Sequence, residues 1–577
     1  MNASNRRRSP ARIRSIAGLG IAFSLAVATL AGCSAVAAQA GDDSASSSTT
    51  TSTIAAAAAS VSTVSDVTAA NDDQTVVNDD EWSEDDAVDV DLSDPSGVEG
   101  VTAEDGSVTI TEAGVYRLSG TLAGTVSVEA PEDALVVLIL DGVDISAEDA
   151  PAIQVVTADD AAIFLADGST NTVTSTGTYA EDADANAAIW SDADLTVSGT
   201  GSLTVDGSAN DGITSKDDLV VLSGTLDVTA ADDGLRGKDS LTVRGGTISI
   251  DAGGDGLNSD QDDDETRGWV LVEGGELDIV AGSDGIDGFT DVIVTDGTIS
   301  IDAEEGIEGG IVAISGGTID ITSTDDGING SAGTPDTSTS ADTSTTDTST
   351  TDTTTDGTTT DDTGSTAEGP APEDGAASDR QPPADGEMPS GEPPSGEMPS
   401  GEMPSGGGPG GGGMGGGMED SGELVLIEGG EIVIDAQGDG LDSNGSMEIT
   451  GGSVIVYGPT NAGNGALDTN GEFTISGGTL LALGSSGMAE TPSTDSAQAW
   501  VGVTASGSAG ATVDVLDEDG NAVASTVAAK DFETVVFSSP DVTDGATYSV
   551  SVDGDEAGSA ETGQALAGGM GGGAPRG

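Results

Sequence analysis

Between residues 195 and 485 the chain repeatedly places an acid before Gly and then Ile or Leu. The copies are Asp211-Gly212-Ile213, Asp233-Gly234-Leu235, Asp255-Gly256-Leu257, Asp284-Gly285-Ile286, Glu305-Gly306-Ile307, Asp326-Gly327-Ile328 and Asp439-Gly440-Leu441. More oxygens stand close by: Asp232, Glu304 and Asp325 just before the acid, and Asn258, Asp287, Glu308, Asn329 and Asp442 three residues after it. Carboxylate and amide oxygens gathered this densely, with backbone carbonyls beside them, supply the roughly six to eight hard ligands that calcium prefers, whereas magnesium demands a tighter octahedron. The chain has no His and one Cys, so ordinary zinc and copper sites built from imidazole or thiolate are excluded. Asp-Gly is also a common turn dipeptide, in which Asp bonds its own backbone. The total charge and the second acidic position favour the ion.

The spacing of these triplets, about 22 residues, is a solenoid period, and it turns one register position into a column in space. Alternating apolar pairs align copy by copy with it. One set runs Leu219/Val221, Leu241/Val243, Val270/Val272, Val292/Val294, Val312/Ile314, Val425/Ile427, Met447/Ile449 and Phe473/Ile475. A second runs Leu203/Val205, Leu226/Val228, Ile248/Ile250, Leu277/Ile279, Ile299/Ile301, Ile319/Ile321, Ile432/Ile434 and Val454/Val456. The aliphatic residue after each acid-Gly makes a third strip. Period-two alternation with turns between strips, and nothing with a helical period, predicts an all-β chain coiled as a three-sided parallel β-helix. Gly245-Gly246, Gly274-Gly275, Gly316-Gly317, Gly429-Gly430, Gly451-Gly452 and Gly477-Gly478 fall at one corner, where a residue with positive φ is needed. With coils about 4.8 Å apart, neighbouring carboxylates in one column would repel by roughly 3 to 4 kcal/mol at an effective dielectric near 20.

Composition bounds the rest. The formal net charge is −89, which argues against nucleic acid and anionic lipid as direct partners and for bound cations. Arg6, Arg7, Arg8, Arg12 and Arg14 precede an apolar run from Ile16 to Leu30, and Leu30-Ala31-Gly32-Cys33 closes it. This predicts an export signal over 1–33 with a bacterial lipobox, lipid attached at Cys33, and an extracytoplasmic, membrane-anchored location at the cell surface. Residues 34–95, rich in Ser, Thr, Ala and Asp, read as a disordered tether. Residues 96–330 read as an N-terminal cap and the first part of the coil, 331–421 as a disordered low-complexity insertion, and 422–485 as the coil resumed. Within the first part, Gln261 to Arg267 reads as a short looped-out insertion. Residues 486–555, with strands at Trp500 to Val503, Ala511 to Leu516, Glu533 to Phe537 and Ala546 to Val552, read as a β-rich cap over an otherwise unpaired end. Residues 556–577 read as a flexible tail.

Lys216, Arg236 and Lys238 gather scarce positive charge on consecutive coils. They serve either to neutralise Asp217, Asp218 and Asp239 or to contact a carboxylate or hydroxyl of a glycan. Trp190, Trp269, Phe289 and Tyr457 are the coil aromatics available as sugar platforms, or equally as core and corner residues.

The stretch Ile110-Thr111-Glu112-Ala113-Gly114-Val115-Tyr116-Arg117-Leu118-Ser119-Gly120, then Leu140-Asp141-Gly142-Val143-Asp144-Ile145, Pro151-Ala152-Ile153, Asp233-Gly234-Leu235-Arg236-Gly237-Lys238-Asp239 and Val536-Phe537-Ser538-Ser539-Pro540, resembles bacterial carbohydrate-binding domain-containing proteins. The resemblance implies a right-handed parallel β-helix with bound calcium that binds plant cell-wall polysaccharides such as cellulose or pectin. The expected function is therefore non-catalytic binding of an extracellular polysaccharide, with a calcium-loaded acidic face suited to uronate polymers. The enzyme alternative is a calcium-dependent polysaccharide lyase using Lys216, Arg236 or Lys238 as base. The third reading is a structural or adhesive surface spacer.

Overall fold

The computed structural model describes residues 61–331 and 422–566, apart from 79, 105, 181, 182 and 265. All of them fall in the compact unit Ser47–Gly577. The expected signal segment with Cys33, the expected tether up to residue 60, the expected low-complexity insertion beyond Ser331 and residues 567–577 lie outside the described residues.

The three strips become three parallel ladders of one β-helix. On the first face Asp211–Ser215, Leu235–Gly237, Leu257–Ser259, Asp284–Val294, Glu305–Ile314, Ile328–Gly330, Leu441–Ser443 and Leu467–Thr469 stack in parallel register. The second face pairs Leu219 with Leu241, then Val270, Val292, Val312, Val425, Met447 and Phe473. The third pairs Leu203 with Leu226, Ile248, Leu277, Ile299, Ile319, Ile432 and Val454. These are the rows aligned from sequence, and their inward side chains form one continuous apolar core. Val312 pairs directly with Val425, and Ile328 with Leu441, so the chain leaves and re-enters one unbroken stack around the long insertion.

Glycine does two different jobs here. At the corner, the second residue of each pair takes positive φ, for example 105° at Gly246 and 91° at Gly317. The glycines of the acid-Gly triplets are instead fixed by close approach. A Cβ on Gly285 would sit 2.3 Å from Ile301 Cγ2 and 2.6 Å from the Gly306 carbonyl oxygen, distances no side chain tolerates.

The expected tether is corrected over residues 61–95, which fold onto the outside of the second face. Val64–Ala70 is an α-helix whose N-cap, Thr63, accepts a hydrogen bond from the Asp66 amide. Its Val64 and Val67 pack on Trp269, Leu271, Ile293, Ile311, Ala313, Leu424 and Leu426. Removing each valine from water contributes about 1.5–3 kcal/mol. From there the strap runs back towards the start of the coil. Asn71 Nδ2 donates to Asp291 at 2.5 Å, the Thr75 amide to Asp218 at 2.7 Å, and the Val77 amide to Thr196 Oγ1 at 3.0 Å. Val77 joins Val115, Val137, Ile139 and Ala162 in a second apolar cluster. Val88–Asp91 then adds the first coil strand, parallel to Tyr116–Ser119. Beneath the strap helix the second face is therefore covered on its outer side as well, as its fully apolar strands Trp269–Val272 and Leu424–Ile427 require.

At the other end the cap forms as expected and extends further. Phe532–Ser538 pairs antiparallel with Thr479–Gly484, the last strand of the third face, and so covers its edge. Behind it, Thr512–Leu516, Ala522–Val527, Thr547–Val552 and Asp555–Glu561 make a separate antiparallel sheet. The strand Asp555–Glu561 and the buried Leu566 correct the expected flexible tail over residues 556–566.

Candidate metal centre on the first face

Register places the acids in two adjacent columns. Because Ile213, Leu235, Leu257, Ile286, Ile307, Ile328 and Leu441 stack in register, the acids two residues before them also line up from coil to coil, through Asp211, Asp233, Asp255, Asp284, Glu305, Asp326 and Asp439. The second column runs Thr214, Arg236, Asn258, Asp287, Glu308, Asn329, Asp442 and Asp468. Asp468 escapes the triplet search because its coil carries Gly465 where the others carry an acid; alignment of Leu467 with Leu441 was the available signal.

Backbone amides hold part of the first column. The Asp255 amide donates to Asp233 Oδ1 and the Asp284 amide to Asp255 Oδ1, each at 3.0 Å, and the Asp439 amide donates to Asp326 Oδ1 at 2.6 Å. These acids do bond backbone, but the amide belongs to the next coil rather than to their own turn. Only one oxygen of each is used in this way.

The remaining oxygens converge. Carboxylate oxygens of Asp255, Asp284 and Asp287 lie within 4.8 Å of one another, and so do those of Asp284, Glu305 and Glu308. Burial, followed by the charge of Asp255, pushes Asp284 up to about 9, and the same two causes drive Asp287 well above the usual carboxylate range. Glu305 rises to about 7 through burial and Glu308. Towards the far end Asp442 rises to about 8 and Asp439 to about 7, again chiefly by burial, and Glu490, packed against the same group, to about 7.

Two asparagines complete the arrangement. Asn258 donates through Nδ2 to Asp255 at 2.5 Å and Asp233 at 3.2 Å, and Asn329 donates to Glu305 at 3.1 Å. Each is 8% exposed, and the Oδ1 of each is buried without a hydrogen-bond partner. With the amide donors turned to carboxylates, the two carbonyl oxygens are left as spare acceptors inside a crowd of acceptors. A buried acceptor in that position lacks a donor or a cation.

The amino-terminal end differs. Asp211 is fully buried and accepts from Asn210 Nδ2 at 2.7 Å and Thr214 Oγ1 at 2.9 Å, with the Arg236 guanidinium at 3.8 Å. Burial still raises it to about 6, against the pull of Arg236. Arg236 also pairs with Asp260 and takes the place that Asn258 and Asp287 take on later coils. Lys216 and Lys238 are half-buried at the following corner and form no ion pair among the described residues. Arg267, from the short insertion, is the cation beside Asp218 and Asp239, at 3.4 and 3.8 Å.

The aromatic platforms need correction. Trp269 is 1% exposed beneath the strap helix and offers no face to a sugar, and Trp190 and Phe289 are each 6% exposed. Tyr457 is half-buried, with its hydroxyl 2.6 Å from Thr526 Oγ1 of the cap.

Residues 104–309 match the family model described as carbohydrate-binding domain-containing protein. A relative from Acetivibrio thermocellus with that same description is 34% identical over 113 residues, 19% of this chain. The chain spans 40% of that relative's length. A solved structure of a polysaccharide lyase-like protein from C. thermocellum, a gadolinium derivative, is 32% identical over 40% of this chain and 96% of its own, with a TM-score of 0.37. Over residues 104–309 the chain is therefore similar to carbohydrate-binding domain-containing proteins.

Proposed function

We propose that this is a surface lipoprotein, anchored through Cys33, that binds an extracellular uronate-containing or cellulosic polysaccharide without cleaving it, through a calcium-loaded first face. Asp255, Asn258, Asp284, Asp287, Glu305 and Glu308 would hold one group of ions, and Asp326, Asn329, Asp439, Asp442 and Asp468 a second. Bound calcium would neutralise these acids and offer open coordination positions to ligand oxygens. The observation that carries this reading is the pair of buried, unpartnered asparagine oxygens set among converging carboxylates. Without a cation the same side chains keep protons they would otherwise lose, which is the electrostatic cost of their burial.

The chain's own residues divide the work. Backbone amides fix one oxygen of Asp233, Asp255, Asp326 and Asp439, so the second oxygen of each is aimed by the β-ladder rather than by a flexible loop. Arg236 is committed to Asp260 and Asp211, which suits a terminator of the acidic column better than a proton acceptor.

Affinity electrophoresis through polygalacturonate, with calcium and with chelator, tests the reading. Retardation that requires calcium and is lost in Asp284→Asn/Asp287→Asn supports it; equal mobility in both buffers refutes it. Steady release of unsaturated uronate, followed by absorbance, would replace binding with lyase activity.

A further inference from the structure

A half-exposed aromatic surface forms where the strap meets the coil. Among the described residues, Trp190, Trp269 and Trp500 are buried to 6%, 1% and 3% exposure, and Trp82 is the half-exposed tryptophan. It meets half-exposed Phe164 on the second face edge-on, with ring centroids 5.0 Å apart and planes at 69°. The two rings line an open cleft of about 420 Å³ with Ser83, Glu84 and Asp85. No acceptor among the described residues meets the Trp82 indole N–H.

We propose that this cleft is a second, calcium-independent glycan subsite that takes a neutral pyranose chain. The rings provide an apolar face for the C–H side of a sugar and the indole N–H provides a donor. Glu84 and Asp85 can only accept, so the ligand must bring hydroxyl donors. A uronate is disfavoured because the cation nearest the cleft is already committed. Arg117 pairs with Glu84 at 2.8 Å and Asp141 at 3.3 Å, and lies 3.9 Å from Asp89. Arg117 is thus a positioning residue that steadies Glu84. Trp82 lies outside the segment 104–309 and Phe164 inside it, so the strap completes this subsite on the matched segment.

The test uses the full chain and soluble cello-oligosaccharides. Trp82→Ala weakens binding at least about tenfold, as truncating a central tryptophan does, equally with calcium and with chelator, and Trp82→Phe recovers most of it. Retardation by polygalacturonate is unchanged in both variants, which separates this subsite from the calcium reading. Since Trp82→Ala also loosens the strap, fluorine NMR of the unaltered protein carrying fluorotryptophan decides independently. The Trp82 signal shifts on saturation while the three buried tryptophans stay put. An unmoved Trp82 signal, affinity within twofold of the parent in Trp82→Ala when both are measured in chelator, or loss of the Trp82 signal shift on chelation each overturns the proposal.

Discussion

Asp211 and Asp284 occupy the same column, follow the same turn and precede the same glycine, yet they live in opposite electrostatic worlds. Asp211 is wrapped by Asn210, Thr214 and Arg236, a complete set of donors from the chain itself. Asp284 faces Asp255, Asp287, Glu305 and Glu308, all acceptors. The difference is written three residues downstream and one coil over, where Arg236 stands beside Asp211 and Glu308 beside Asp284. A repeat therefore fixes where side chains point, while the second column decides whether the protein or a cation neutralises them.

Glycine substitution should erase the contrast. A Cβ on Gly212 would lie 2.4 Å from Val228 Cγ1 and 2.5 Å from the Gly234 carbonyl oxygen, nearly the clash at Gly285. Gly212→Ala and Gly285→Ala should each cost about 3 kcal/mol or more in denaturant melts, with or without calcium. Arg236→Met should come next, at about 3 kcal/mol, because it leaves the buried Asp211, and Asp260 with it, without their cation. Its loss should depend little on chelator.

Calcium should then separate the two ends. At a hundredfold excess over its dissociation constant a single bound ion stabilises by about 2.7 kcal/mol, read as a rise in melting temperature that Asp284→Asn/Asp287→Asn removes and Arg236→Met retains. The pH dependence has a definite sign. Asp284 and Asp442 are raised from 3.8 to about 9 and about 8, so the cation-free folded protein binds protons that the unfolded chain releases. That contribution is complete below 3.8 and is lost as pH rises through the folded values. Chelated protein should melt higher at pH 5 than at pH 8, and calcium-loaded protein the reverse. The smallest effect is expected at the strap: Asn71→Ala removes one hydrogen bond to Asp291 and should cost about 1 kcal/mol.

The inward rows and the first acidic column were legible because a coil repeats its burial pattern at fixed spacing, and Leu219 or Ile299 announces its neighbours. The strap was not legible, because its anchoring rests on a few groups, chiefly Val64, Val67, Val77 and Trp82, scattered through polar sequence. A seven-residue helix has no stability of its own and exists here only against Trp269 and Leu426. The signal lay on the other partner: Trp269–Val272 and Leu424–Ile427 are apolar at every position, so their outward side chains also needed cover. Asp468 and Glu490 were missed for the opposite reason, since the triplet decays while the column continues.

The helix Val64–Ala70 touches Ile311 and Ala313, upstream of the long insertion, and Leu424 and Leu426, downstream of it. It acts as a suture across the gap, joining two rungs that are neighbours in space and far apart along the chain. Closure then owes little to the intervening length, for which a doubling costs only about 0.6 kcal/mol. That segment is free to lengthen, shorten or change composition over evolutionary time without unthreading the rod.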